Sequence, residues 1–246
     1  MKIPIVLNET VWNYGIMEYL FIDFNEIPMG IVAGASGSGK TYCVKGIASK
    51  CVLFDDECIL YILDFKGSSD FDCLENITNS RYFAFDKIHK GIEELWRCLL
   101  RRQNKQDKST NRIVAVIDEF AAYTNYMSGV DKKIAESDKQ IISNIGMLGR
   151  SFQINLILSQ QRFDTTCWGS GGGRENFTSS GFVILLGNSS QESQRMLFPE
   201  FYSNLINDRK RATGYASISG NMPIPVISPI IDMKRANELI KIGATR

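Results

Sequence analysis

Histidine is all but missing from this chain. His89 is the single one, and the six cysteines (43, 51, 58, 73, 98 and 167) form no C-x-x-C pair. Zinc needs clustered nitrogen and sulfur ligands, so a structural metal centre is not expected. Scattered thiols of this kind suit a reducing compartment and small buried side chains. Long apolar runs are also lacking: no uncharged stretch approaches the ~20 residues that span a bilayer, and Met1-Lys2-Ile3-Pro4-Ile5 does not open a signal peptide's apolar stretch. A cytoplasmic protein is expected, with any membrane recruitment left to a partner. Neither sign of charge is in excess, 28 Lys+Arg against 27 Asp+Glu. Affinity for nucleic acid would therefore come from local clusters, or from an assembly that repeats them. There is no repeat and no low-complexity tail. The one biased stretch, Gly169-Ser170-Gly171-Gly172-Gly173, reads as a flexible loop.

At 246 residues and 44% hydrophobic, the chain can bury a full core without disulfides. No break in composition marks a second domain, so a single domain over 1–246 is expected. Short runs that are apolar on nearly every residue recur at 30–33, 60–63, 82–85, 113–117, 154–158 and 182–186, as in strands buried on both faces of a parallel sheet. Amphipathic helices lie between them. Ile88, Ile92, Leu95, Trp96 and Leu99 make one stripe; Ile134, Ile141, Ile145, Leu148 and Phe152 make another. The alternation predicts an α/β fold with crossover connections.

Gly34-Ala35-Ser36-Gly37-Ser38-Gly39-Lys40-Thr41 fits the phosphate-loop pattern G-x-x-x-x-G-K-[ST] at every fixed position. Its glycines let backbone N–H groups turn around a phosphate, Lys40 can reach the β- and γ-phosphates, and the Thr41 hydroxyl can ligate Mg²⁺. A strand precedes the loop and a helical run follows it, as the chemistry requires. Further on, Arg112-Ile113-Val114-Ala115-Val116-Ile117-Asp118-Glu119 is a buried strand that delivers two carboxylates at its carboxyl end. Asp118 suits the Mg²⁺ shell and Glu119 the polarisation of an attacking water. A third strand ends in Ser159-Gln160-Gln161-Arg162. A glutamine there suits sensing a γ-phosphate or orienting water, and an ordinary strand-end turn accounts for it equally well. ATP and Mg²⁺ are thus the expected ligands, and ATP hydrolysis the expected reaction.

These elements, in this order, resemble the motor domain of the FtsK/SpoIIIE DNA translocases within the FtsK–HerA branch of P-loop ATPases. The resemblance runs over roughly residues 10 to 245. Residues 23–42 read like the family's strand, short loop, strand and phosphate loop. Leu63-Asp64-Phe65-Lys66-Gly67 looks like its Asp-x-Lys strand end, and residues 148–162 look like its helix–Arg–strand–Thr-Gln-Arg segment. Gly173-Arg174-Glu175-Asn176-Phe177, Leu186-Gly187-Asn188 and Gln191-Glu192-Ser193 look closest to the branch serving Gram-positive conjugative plasmids and integrative elements. The 214–215 region and the 223–239 tail resemble the family's last strands and helix. The resemblance implies a RecA-like, mostly parallel sheet flanked by helices, and a homo-oligomer, a hexameric ring, acting on double-stranded DNA. It implies that Arg150 is an arginine finger supplied to the neighbouring subunit's ATP and that Gln161 is the sensor glutamine. For Arg150 an ordinary cation at a helix end is the other reading. Three departures stand out. Gln160 replaces the usual Thr and Phe163 the usual Pro. The span between the two phosphate-site elements is compact. There is no membrane segment or DNA-reading C-terminal domain, so a membrane-anchored or DNA-loading partner protein is expected to recruit and direct a minimal motor.

Two basic clusters are candidates for DNA contact. One holds Arg97, Arg101, Arg102, Lys105, Lys108 and Arg112, opposed only by Asp107; the other is Asp208-Arg209-Lys210-Arg211. Such clusters can neutralise phosphates without reading sequence, and solvated faces carry them as well. The loop 168–174 is a third place that could face a channel. Two rivals to DNA translocation remain open, a motor of the same superfamily acting on protein and a nucleotide-dependent switch or assembly factor. Small-molecule kinases and transporter ATPases fit worse: there is no Arg-rich lid, and the Gly-rich stretch follows Asp118-Glu119 rather than preceding it.

Overall fold

The computed structural model describes residues 1–67, 69–161 and 177–246. The strands are β1 (Lys2–Asn8), β2 (Tyr19–Asp23), β3 (Met29–Gly34), β4 (Ile59–Asp64), β5 (Tyr82–Ala84), β6 (Ile113–Asp118), β7 (Ile154–Gln160), β8 (Phe182–Leu186), β9 (Thr213–Ile218) and β10 (Ile224–Ile227). The helices are α1 (Glu9–Trp12), α2 (Lys40–Phe54), α3 (Ile88–Gln103), α4 (Phe120–Val130), α5 (Lys132–Leu148), α6 (Gln191–Leu197) and α7 (Met233–Thr245).

All ten strands join one sheet in the order β2-β1-β10-β9-β8-β3-β7-β6-β4-β5. From β8 to β5 every neighbouring pair is parallel, and from β8 to β2 every pair is antiparallel. The six apolar runs read from the sequence are the six parallel strands. Alternate residues of each feed two cores. Ile31, Leu63, Ile117 and Leu158 pack with α3, α4 and α5 on one face, and Val32, Ile62, Val116 and Ile157 pack with α2 and α7 on the other. Burial on both sides explains why these strands lack polar alternation.

Two boundaries differ from the sequence reading. The strand expected at 82–85 stops at Ala84, and Phe85 turns off with φ 47° into a 3-10 turn. The stripe expected to run to Phe152 leaves the α-helix at Leu148, and Gly149–Phe152 form a 3-10 turn before β7. The antiparallel strand β1 and the separate helix α4 were not read from the sequence; β10 falls in the 223–239 tail that resembles the family's last strands. The 168–174 loop lies outside the described residues.

Candidate active site

Three parallel strands end in a polar row. Asp64 of β4, Asp118 of β6 and Ser159 of β7 are successive Cα partners. Each continues the alternation of Leu60/Ile62, Val114/Val116 and Ile157, so all three face the α2 side of the sheet. Burial raises the pKa of Asp118, and the Ser159 hydroxyl and Lys40 oppose that rise. Burial, with the Asp118 charge next, pushes Asp64 up to about 6.

The phosphate loop stands at the carboxyl end of β3, beside this row. Helices α5, α6 and α7 are each capped by a side chain, from Asp131, Ser190 and Asp232, that accepts first-turn N–H groups. Helix α2 is not. Its N-cap is Gly39, at φ 96°, which offers no side-chain acceptor, so the first-turn donors are left for a ligand. Gly34 is fixed by close approach: a Cβ there would lie 2.5 Å from the Leu186 carbonyl oxygen and from Ser38 Oγ. Lys40 is buried, and Thr41 follows it in the first turn.

Glu119 sits just beyond β6 with φ 56°, and its own N–H donates to the Ser159 carbonyl at 2.7 Å. The residue is 5% exposed and both carboxylate oxygens are engaged. Oε1 takes Lys40 Nζ at 3.4 Å and Lys66 Nζ at 3.0 Å, and Oε2 accepts the Gln161 backbone N–H at 3.2 Å. Lys40, Asp118, Glu119 and Gln161, separated by up to 121 positions in sequence, thus meet in one place. Gln160, one residue earlier, turns to the other face with its amide buried and unpartnered among the described residues. Lys66 was missed as a functional candidate. The Asp-x-Lys strand end marked its position and assigned it no task.

Arg150 is not brought to this site. It is exposed at the amino end of β7, with Nη1 donating to the Glu26 carbonyl at 3.4 Å, just before β3. The phosphate loop lies at the other end of β3, a strand of six residues or roughly 20 Å. Arg150 therefore cannot serve the nucleotide of its own chain.

The basic clusters divide into shielded and exposed cations. Arg102 is buried, donates to the Phe152 and Asn111 carbonyls at 2.6 and 2.8 Å, and lies 3.5 Å from Asp107. Arg112 is buried on Phe24 O, Asn155 Oδ1 and Asn25 Oδ1. Arg209 is committed to Glu9 and to the Gly214 carbonyl, with its guanidinium over the Tyr215 ring. The structure weighs against the expectation of DNA contact for these three, because each guanidinium is held in place by protein acceptors and largely shielded from solvent. Arg97, Arg101, Lys105, Lys108, Lys210 and Arg211 are exposed, Arg97 beside Glu93 and Arg101 donating to Cys98 Sγ at 3.4 Å.

No family model matches the chain. It is 24% identical over 243 residues to the FtsK domain-containing protein YdcQ of Bacillus subtilis (strain 168), covering 94% of this chain and 49% of YdcQ. The resemblance to an FtsK/SpoIIIE-type motor domain holds. The chain spans about half the length of that curated relative. Among solved structures it is similar to the pCW3 conjugation coupling protein TcpA with ATPγS, at 20% identity and TM-score 0.72, over 98% of this chain and 70% of TcpA. It is also similar to the cytoplasmic domain of the type VII secretion ATPase EccC of Thermomonospora curvata, at 17% identity and TM-score 0.66, over 100% of this chain and 31% of that one. At these identities the structural likeness concerns the fold, a P-loop ATPase fold with a mostly parallel sheet between helical layers.

Proposed function

We propose that the chain is an ATP-hydrolysing motor domain, one unit over residues 1–246, that assembles as a hexameric ring and moves double-stranded DNA in the transfer or processing of a mobile element. The observation that carries the nucleotide part is the meeting of an uncapped phosphate loop with Asp118-Glu119, Lys40 lying 3.4 Å from Glu119. Likeness to an FtsK domain-containing protein and to a conjugation coupling protein supports the DNA part.

In this reading the N–H groups of residues 34–41 and Lys40 hold the triphosphate. The Thr41 hydroxyl and the Asp118 carboxylate are hard oxygen donors of the kind Mg²⁺ prefers, and would hold it. Bound Mg²⁺ supplies positive charge against the phosphate oxygens. Glu119 polarises the attacking water, and Gln161, tied to Glu119 through its backbone, senses the γ-phosphate. Arg150 enters from the neighbouring subunit, where such a finger is worth about 10³–10⁵ in rate. A membrane-anchored or DNA-loading partner directs the motor.

The test is the ATPase rate with and without linear duplex DNA at low salt. Stimulation supports DNA translocation. Hydrolysis indifferent to DNA turns the reading to a protein substrate, which the likeness to EccC along the whole chain favours.

A further inference from the structure

Lys66 has no part in the roles above, yet it makes the shorter of the two ion pairs to Glu119, 3.0 Å against 3.4 Å for Lys40. Both ammonium groups sit on the same oxygen, Oε1, so they lie within two hydrogen-bond lengths of each other. The Lys66 backbone is anchored to the buried carboxylates. The N–H groups of Lys66 and Gly67 donate to Asp64 Oδ1 at 3.1 and 3.2 Å, and the Phe65 N–H reaches the Asp118 carbonyl at 3.4 Å. The end of β4 is thus shaped to aim one ammonium group at Glu119.

The two lysines differ in what else they must do. Under the hydrolysis reading, on which this inference rests, Lys40 turns to the phosphates and its hold on Glu119 weakens. The Glu119 side chain is 7% exposed. Without Lys66 it would then keep only the Gln161 N–H, and a buried carboxylate stripped of its counter-charge is strongly disfavoured. Lys66 arises from a different strand, its side chain is 38% exposed, and it has no other ion pair among the described residues. It is free to stay.

We propose that Lys66 is a positioning residue for Glu119: the cation that remains when Lys40 transfers to ATP, holding the carboxylate aimed at the attacking water. Lys66 then acts on turnover and leaves nucleotide affinity alone.

The full chain is compared with Lys66→Ala, Lys66→Arg, Glu119→Gln and the Lys66→Ala/Glu119→Gln pair, measuring kcat and KM alongside ATP affinity by calorimetry. Lys66→Ala should lower kcat about 10²-fold, the lower end of what a positioned general base contributes, and keep the ATP Kd within about twofold. Lys66→Arg should recover most of the rate. In the Glu119→Gln background, Lys66→Ala should cost nothing further, because the group it positions is gone. Equal losses in both backgrounds, or a weakened ATP Kd with kcat kept, would make Lys66 a phosphate contact or a structural residue and overturn the proposal. If Glu119→Gln abolishes turnover while Lys66→Ala matches wild type, the Lys66 role alone fails. If Glu119→Gln turns over normally, the hydrolysis reading fails and takes this inference with it.

Discussion

Asp64 and Asp118 are Cα partners across the parallel pair β4–β6, and both side chains face α2. Asp64 is completely buried and Asp118 is 8% exposed. Two carboxylates side by side in a poorly solvated place do not ionise independently. Asp64 carries most of the consequence, at about 6, even though the Tyr82 hydroxyl and two backbone N–H groups bond its oxygens.

This pair gives the fold a pH dependence with a definite sign. An unfolded aspartate titrates near ~3.9, so between there and about 6 the folded chain holds a proton that the unfolded chain has released. Stability contributed by Asp64 is therefore complete below the unfolded value and is lost as pH rises through the folded one. Asp118 and Asp138, also raised by burial, act in the same sense. Asp64→Asn should flatten the fall in urea midpoint across this window without abolishing it. A variant with the wild-type slope would show that Asp64 is not the titrating group.

Lys40→Ala and Glu119→Gln should fail in different ways. Lys40 is the phosphate loop's cation, so its loss should weaken ATP binding at least about tenfold. Glu119→Gln keeps the loop and Asp118, so ATP should bind while turnover drops about 10²–10⁴-fold. Calorimetry paired with phosphate release separates the two, and wild-type turnover by Glu119→Gln would remove the water-activating role.

How much of this site could be read in the sequence depended on distance along the chain. The phosphate loop and Asp118-Glu119 were legible because each sits within a few consecutive residues whose types follow from the chemistry. The six parallel strands were legible because burial on both faces leaves unbroken apolar runs. Lys66–Glu119 was not legible. It spans 53 positions and exists only because β4 lies beside β6 in the sheet order. Nor could charge counting separate Arg102, Arg112 and Arg209 from the exposed cations beside them, since their partners are mostly backbone carbonyls and side-chain amides that only the fold brings to them. The strand β1 pairs with β10 from the other end of the chain, again a fact of topology rather than of local pattern.

Arg150 lies a strand's length from its own phosphate loop, so its effect should appear only between subunits. Arg150→Ala should bind ATP normally and hydrolyse it poorly. Mixing it with Lys40→Ala, which has an intact finger and a damaged pocket, should restore part of the rate. No rescue in mixtures shown to co-assemble would count against a finger acting in trans.

The exposed cations make the DNA reading testable one face at a time. Arg101 and Lys105 lie near the amino end of β6, whereas Lys210 and Arg211 sit beside the phosphate loop, where the Ala212 N–H donates to the Ser38 carbonyl at 2.8 Å. Each phosphate a cation neutralises contributes about −0.9 to the slope of log affinity against log salt. Replacing both members of a pair by alanine should therefore flatten that slope by up to ~1.8 if the pair faces DNA. Because the 208–212 segment is fastened to the phosphate loop, any change from Lys210 and Arg211 should differ between ATP-bound and nucleotide-free protein, and the Arg101–Lys105 pair has no such tie. Arg102→Ala is the contrasting case. It strips two backbone carbonyls of a charged donor in a buried place, and should cost about 2–3 kcal/mol of stability while leaving the salt slope of the folded protein unchanged. Duplex DNA that alters neither the ATPase rate nor the oligomeric state at low salt, with Arg101, Lys105, Lys210 and Arg211 in place, would replace DNA translocation by the protein-substrate or switch reading.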